Sequence, residues 1–286
     1  MARTFIPGRI GIVGLGLIGG SFARAYAAAG WDVRAWNRTR STLELAEIET
    51  VKGELDDETI PSCELIILAS YPAASIAWLA EKAPLISEGA IVIDIVGVKR
   101  TVVDDCSAIA AEHSFAFVGC HPMAGTQYSG FAHAHADMFA GAPLVVVPPK
   151  MDDFKRLDVL ERLKQLLEPC RFGSFMLVSA DEHDRIIAYT SQLAHVVANA
   201  YVKSPTAQDH KCFSAGSFRD LTRVARLNPT MWTELFLDNA DYLSAEIGFL
   251  IDSLSAYKDA IDAGDAERLH DLLAEGSRLK QEAERR

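Results

Sequence analysis

The sequence predicts an α/β domain with a doubly wound parallel sheet, followed by an all-helical C-terminal domain. Three observations carry this expectation. Short apolar runs alternate with helical periodicities between Arg9 and Val178. Most of those runs are continuous rather than alternating, as expected for parallel strands covered on both faces. From Ser179 onward only helical periods remain. The expected domains are residues 1–178 and residues 179–286.

Strands are expected at Arg9–Val13, Asp32–Trp36, Leu65–Ala69, Ile91–Ile95, Ala116–Gly119 and Leu144–Val147, with a last strand-like piece at Phe172–Val178. Helical stretches such as Gly19–Ala29 and Ala73–Lys82 lie between several of them, and such alternation builds a parallel sheet. Pro148 and Pro149 close that run, and an amphipathic helix follows at Asp152–Leu167. The second domain reads as helices at Asp181–Tyr201, Phe218–Arg226, Thr230–Ile261 and Ala266–Glu282. Thr230–Ile261 is apolar on more than one face, through Trp232, Leu235, Phe236, Leu243, Ile247, Leu250 and Ile251. A helix of that kind is covered within a larger assembly, so a homodimer is expected.

The 286 residues carry a net charge of −11. An acidic surface repels phosphate backbones and anionic lipids, which argues against nucleic acid and membrane as partners. An anionic substrate would then need arginines placed locally in a cleft. Five cysteines without a CxxC spacing argue against a disulfide framework or zinc site and point to a reducing, cytoplasmic setting. The first strand begins too early to leave room for a signal peptide. No apolar run approaches the ~20 residues that span a bilayer.

The segment from Arg9 to Ser21 combines a strand, a tight turn and a helix start. Gly14 permits the turn, Gly16 admits a pyrophosphate to the backbone, and Gly19 lets helix and strand pack closely. Leu15, Leu17 and Ile18 complete the loop, and the helix N-terminus offers N–H groups and partial positive charge. Glycine clusters also make ordinary turns, but this one sits inside the βαβ unit of a Rossmann-type domain. Ser70, just past the third strand, joins the cofactor-binding candidates. After the second strand the chain carries Asn37, Arg38 and Thr39, with no carboxylate to bind a ribose 2′-hydroxyl. Arg38 suits a 2′-phosphate, so NADP is expected over NAD; the alternative is an exposed basic turn.

His121 begins the segment His-Pro-Met-Ala-Gly-Thr at the end of a strand, where open α/β sheets bind ligands. It reads either as an acid–base group or as a turn histidine capping backbone. His133 and His135 read as an exposed loop rather than a metal site, and no metal is expected. His183, among Asp181, Glu182 and Asp184, reads as the solvated first turn of a helix.

Taken together, GLGLIGGS, Asp94 to Lys99, HPMAGT with Ser129-Gly130, Thr190 to His195, Phe218 to Ala225 and Met231-Trp232 resemble the prephenate/arogenate dehydrogenase family of tyrosine biosynthesis. The resemblance covers nearly the whole chain and the stand-alone form of the family. It implies oxidation of the C4 alcohol of prephenate or arogenate with loss of the ring carboxylate as CO2. By match to the family, His121 receives the hydroxyl proton and Arg223 grips the side-chain carboxylate. Arg219 lies one helical turn before Arg223 and is a second candidate cation, or else part of a solvated face paired with Asp220. His195 and Ser191 are implied to face the cleft with Thr126 and Gln127, although His195 on residue pattern alone reads as a core histidine. Two positions depart from the family: Gly97 stands where many relatives carry a serine that orients the histidine, and Gln127 where many carry glutamate. With Gly97, a backbone group or water is expected to fix the histidine's tautomer. Competing readings are a β-hydroxyacid-type NADP dehydrogenase, which would need a lysine motif not seen around Lys203 or Lys211, and a catalytically silent NADP-binding sensor.

Overall fold

The computed structural model describes residues 5–126, 128–209, 213 and 215–285. Gln127, Lys211 and Cys212 lie outside the described residues.

Seven strands form one sheet: β1 (Arg9–Val13), β2 (Asp32–Trp36), β3 (Leu65–Leu68), β4 (Ile91–Asp94), β5 (Ala116–Pro122), β6 (Pro143–Val147) and β7 (Ser174–Leu177). Their spatial order is β2-β1-β3-β4-β5-β6-β7. A single parallel bridge from Ala35 to Glu54 extends the β2 edge, the remnant of one more strand. The order therefore reverses beside β1, and that reversal opens a crevice at the strand C-termini.

Burial explains why the strands read so clearly. β3 and β4 are buried at every residue, because helices cover both faces of the sheet's centre. β2, nearer the edge, buries only Val33 and Ala35. β7 is the opposite edge and is exposed throughout.

The helices of this first part are α1 (Leu17–Ala28), α2 (Arg40–Glu49), α3 (Pro72–Lys82), α4 (Arg100–Ala111) and α5 (Asp153–Leu166). Asp152 caps α5 by accepting from the Lys155 N–H at 3.1 Å. Tyr26 of α1 is fully buried, and its hydroxyl donates to the Leu166 carbonyl at 2.8 Å, tying α1 to the end of α5.

One strand departs from expectation. β5 and β6 pair antiparallel, with His121 opposite Val145. β5 also runs on to Pro122, whereas its parallel pairing with β4 stops at Gly119. His121 is thus held beyond the parallel sheet by β6.

Beyond β7 come α6 (Ala180–Ile187), a π-helical stretch (Ala188–Leu193), α7 (Ala194–Tyr201), α8 (Gly216–Thr222), α9 (Pro229–Leu237), α10 (Ala240–Ala263) and α11 (Ala266–Arg285). The expected single helix over Thr230–Ile261 is therefore broken at Asp238 and Asn239. Asn239 is fully buried and spends its side chain on other backbone and side-chain groups, which ends α9 there. By internal contacts the chain divides into two units, residues 1–239 and residues 240–286. The second unit is the α10–α11 hairpin, in which the Tyr257 hydroxyl donates to the Leu272 carbonyl at 3.1 Å.

Candidate active site

The glycine loop joins β1 to α1 at the crevice. Gly14 has φ +100°, and a Cβ there would stand 2.7 Å from the Ala69 carbonyl oxygen. A Cβ on Gly19 would fall 2.0 Å from the Gly14 carbonyl oxygen, whereas a Cβ on Gly16 would meet nothing within 4 Å. Gly14 and Gly19 are thus required by the protein's own packing, and Gly16 faces open space. Gly16 also caps α1 without a side-chain hydrogen bond, and no acidic residue occupies the first turn. An uncapped helix start behind an open glycine fits a pyrophosphate.

Leu15 is buried, and Leu17 and Ile18 are partly buried against the core. Asn37 braces the loop: its Oδ1 accepts from the Leu15 N–H at 2.9 Å and its Nδ2 donates to the Thr39 carbonyl at 3.0 Å. Arg38 and Thr39 are exposed. Arg38 forms no ion pair among the described residues, whereas its neighbour Arg40 pairs with Glu54 at 2.7 Å. Ser70 lies against the loop, its backbone N 3.3 Å from the Cβ position of Gly14. Its hydroxyl shares a hydrogen bond with Ser75 at 2.8 Å.

The segment after His121 crosses back over α1. The His135 N–H donates to Ser21 Oγ at 3.1 Å, and Phe131 would obstruct any Cβ on Gly20. Thr126 is exposed, with its hydroxyl accepting from the Tyr128 N–H at 3.2 Å. His133 and His135 are exposed, and no cluster able to hold a metal occurs among the described residues.

His121 is partly buried, and its Nδ1 lies 2.9 Å from Nε2 of His183. His183 is buried at 3% exposure, which overturns its reading as a solvated helix turn. It follows the cap of α6, where Ser179 Oγ accepts from the Glu182 N–H at 3.1 Å. His183 Nδ1 is 2.7 Å from Asp184 Oδ1. That carboxylate also accepts the Lys99 N–H at 2.7 Å and the Arg100 N–H at 2.9 Å. Lys99, fully buried, pairs with the equally buried Asp94, whose Oδ1 also accepts from the Cys120 N–H at 3.3 Å.

These surroundings set the charges. Burial, then His183 and Lys99, push the His121 imidazole well below its usual value, so it is neutral near pH 7. His183 is lowered by burial, with Lys99 adding to the effect and Asp184 opposing it. For Asp184 burial acts upward, but the hydrogen bonds from His183, Arg100 and Lys99 outweigh it and hold the carboxyl low. A Cβ on Gly97 would lie 4.0 Å from His121 Cε1, in ordinary contact.

Ser191 lies in the π-helical stretch, a local distortion that recurs at functional sites. Its carbonyl accepts a hydrogen bond from His195 Nδ1 at 2.8 Å, which leaves His195 Nε2 bare. The Trp232 ring lies over His195 with centroids 4.1 Å apart. Burial lowers the His195 imidazole, and the nearby charge of Arg223 lowers it further. Arg219 and Arg223 are exposed beside one another on α8 and its end, and neither pairs with a carboxylate among the described residues.

Sequence reasoning missed His183, Asp184, Asn239 and Gln192. Asn239 Nδ2 donates to Gln192 Oε1 and to the Asp184 carbonyl, each at 2.8 Å, while Oδ1 accepts from Arg100 at 3.0 Å. A signal was present: Ile187 and Ala188 are buried one turn after His183 and Asp184, so the apolar period extends back to them.

The sheet, its switch point and the glycine loop define a dinucleotide-binding α/β protein with a helical C-terminal region. A family model described as prephenate dehydrogenase, nucleotide-binding domain, matches residues 22–172. A second, described as prephenate dehydrogenase, dimerization domain, matches residues 179–275. The chain is 28% identical over 282 residues to a cyclohexadienyl dehydrogenase of Zymomonas mobilis, covering 95% of this chain and 94% of that protein. It is 30% identical over 270 residues to a prephenate dehydrogenase of Bacillus subtilis, covering 90% of this chain and 71% of that one. The crystal structure of prephenate dehydrogenase from Aquifex aeolicus, in complex with hydroxyphenyl propionate and NAD+, superposes with a TM-score of 0.81 at 27% identity, covering 98% and 99% of the two chains. This chain belongs to the prephenate dehydrogenase family of oxidoreductases.

Proposed function

We infer that this protein oxidatively decarboxylates prephenate, arogenate or both, with His121 as the base and NADP as the preferred cofactor. The observation that carries the reading is the partly buried imidazole of His121 at the C-terminal end of β5, on the same edge of the sheet where β1 runs into the open glycine loop.

The bound nicotinamide supplies the acceptor for the hydride that leaves C4 of the substrate. His121 takes the C4 hydroxyl proton through Nε2, since Nδ1 is engaged by His183. The bond from the ring to its carboxylate then breaks, CO2 departs and the ring becomes aromatic. The proton held on His121 returns to the phenolate oxygen, so the base is regenerated. Arg223 anchors the side-chain carboxylate, with Arg219 as a second cation, and His195 offers its bare Nε2 to the substrate. Ser191, Thr126 and Gln127 complete the substrate-binding set.

Gly14, Leu15, Gly16, Leu17, Ile18 and Gly19 hold the pyrophosphate, and Ser70 lines the same cradle. Asn37, Arg38 and Thr39 hold the ribose end. The absence of a carboxylate there, together with an uncommitted Arg38, supports NADP. Exposed apolar residues on the second unit, among them Phe249, Ile251 and Leu254, support a homodimer. Sedimentation as a monomer at micromolar concentration would contradict it. The described cysteines Cys63, Cys106, Cys120 and Cys170 are free and buried, which supports a reducing, cytoplasmic setting.

The test is kcat/KM for prephenate and arogenate, each with NAD and NADP, followed by the absorbance of the reduced nicotinamide. Turnover of at least one substrate is expected, faster with NADP; no turnover of either refutes the reading.

A further inference from the structure

We propose that His183, held by Asp184, is a positioning residue that fixes His121 as the tautomer with a proton on Nδ1 and a bare Nε2. The inference rests on His121 being the base of the reaction, and it names the group that makes it one.

The assignment follows from donors and acceptors along a chain. Asp184 carries a carboxylate that receives the Lys99 and Arg100 backbone N–H groups at 2.7 and 2.9 Å and Arg100 Nε at 3.3 Å. An ionised carboxylate only accepts. The 2.7 Å contact with His183 Nδ1 therefore requires the proton to sit on that nitrogen. A neutral His183 protonated on Nδ1 has a bare Nε2, and this nitrogen lies 2.9 Å from His121 Nδ1. Two bare nitrogens cannot share that contact, so His121 must donate from Nδ1. The rings meet edge to face at 60°, with centroids 5.1 Å apart. His121 Nε2 is left without a proton, the state a general base needs.

The reverse arrangement would need His183 doubly protonated. The charged groups around it are Lys99, Asp94, Asp184 and Arg100, and the first two already neutralise one another. A second buried cation there is disfavoured by desolvation, which outweighs the opposing pull of Asp184. Gly97, beside His121 Cε1, has no side chain to take over the task.

The experiment is 15N NMR of the imidazoles in the full-length protein, with His121→Asn used to assign the His121 signals, alongside steady-state kinetics on prephenate and arogenate. In the wild type His121 should show a protonated Nδ1 and an unprotonated Nε2. In His183→Leu its signals should move toward the Nε2-protonated form, and kcat should fall about 10–100-fold with KM within about threefold. His183→Gln keeps a carbonyl that can accept from His121 Nδ1 and should recover most of that loss. A wild-type His121 protonated on Nε2 overturns the proposal, as does a folded His183→Leu with unchanged tautomer and kcat. If His183→Leu does not fold, the wild-type tautomer and the glutamine variant decide. A wild-type protein that oxidises neither substrate refutes the functional reading, while the tautomer assignment stands or falls on the spectrum alone.

Discussion

Substituting alanine at Gly16 and at Gly19 separates the demands of the cofactor from those of the fold. Gly16 has an ordinary φ of −82°, and its Cβ position meets no protein atom within 4 Å. Gly16→Ala should therefore fold normally, losing at most about 1 kcal/mol from the change of helix cap. The new methyl would project into the space where the backbone must approach the pyrophosphate, and dinucleotide Kd should rise at least about tenfold, or ~1.4 kcal/mol. Gly19→Ala differs, because its Cβ would lie 2.0 Å from the Gly14 carbonyl oxygen and 2.8 Å from Ala69 Cβ. Both obstacles are backbone or a methyl on it, so β1 and α1 must move apart. Overpacking of this kind costs roughly 1–3 kcal/mol. At about 2–4 °C per kcal/mol in a domain of this size, Tm should drop by roughly 2–12 °C. Thermal unfolding with and without NADP, paired with calorimetric titration, reads both quantities. Normal dinucleotide affinity in Gly16→Ala would refute the cradle; an unchanged Tm in Gly19→Ala would refute the packing argument.

Other outcomes follow from the same geometry. His121→Asn should lower kcat by roughly 10²–10⁴-fold with little change in KM, and near-normal turnover would remove His121 from the chemistry. Its lowered pKa fixes the sign of the pH dependence. The base works when neutral, so kcat/KM should hold as pH falls through the usual imidazole value of about 6.5 and decline only below it. An acid limb above that value would contradict the burial argument. Arg223→Ala should raise KM by about 10–100-fold, from a charged hydrogen-bond contribution of ~1.5–3 kcal/mol, and Arg223→Lys should restore only part because the two-pronged geometry is lost. Arg38→Ala should reduce any preference for NADP by about three- to tenfold while leaving NAD kinetics unchanged. An equal loss with both cofactors would remove Arg38 from the 2′-phosphate.

The parts of the fold written in local sequence were legible. The buried strands β1, β3 and β4 and the loop from Gly14 to Gly19 announce themselves, because burial on both faces and a tight turn each leave a mark on consecutive residues. The direction of β6 was not legible, since Pro143–Val147 is a continuous apolar run that reads the same either way. The break at Asn239 was hidden because its cause, hydrogen bonds to Asp184 and Gln192, lies some fifty residues away in sequence. His183 was misread for a related reason. Its neighbours Asp181, Glu182 and Asp184 have the composition of a solvated helix start, but Asp184 turns inward onto the Lys99 and Arg100 N–H groups and carries His183 with it. The sequence expectation of a backbone group or water beside Gly97 did not anticipate the second histidine, whose Nε2 lies 2.9 Å from His121 Nδ1.

In the proposed reaction, hydride loss and decarboxylation occur in one turnover at this site. Stoichiometry tests it most directly: excess wild-type enzyme is mixed with prephenate or arogenate and NADP, and reduced nicotinamide, CO2 and the para-hydroxyphenyl product are quantified together. Equal amounts of all three are predicted. Reduced nicotinamide formed without CO2 would contradict the account and point instead to a dehydrogenase that leaves its carboxylates in place.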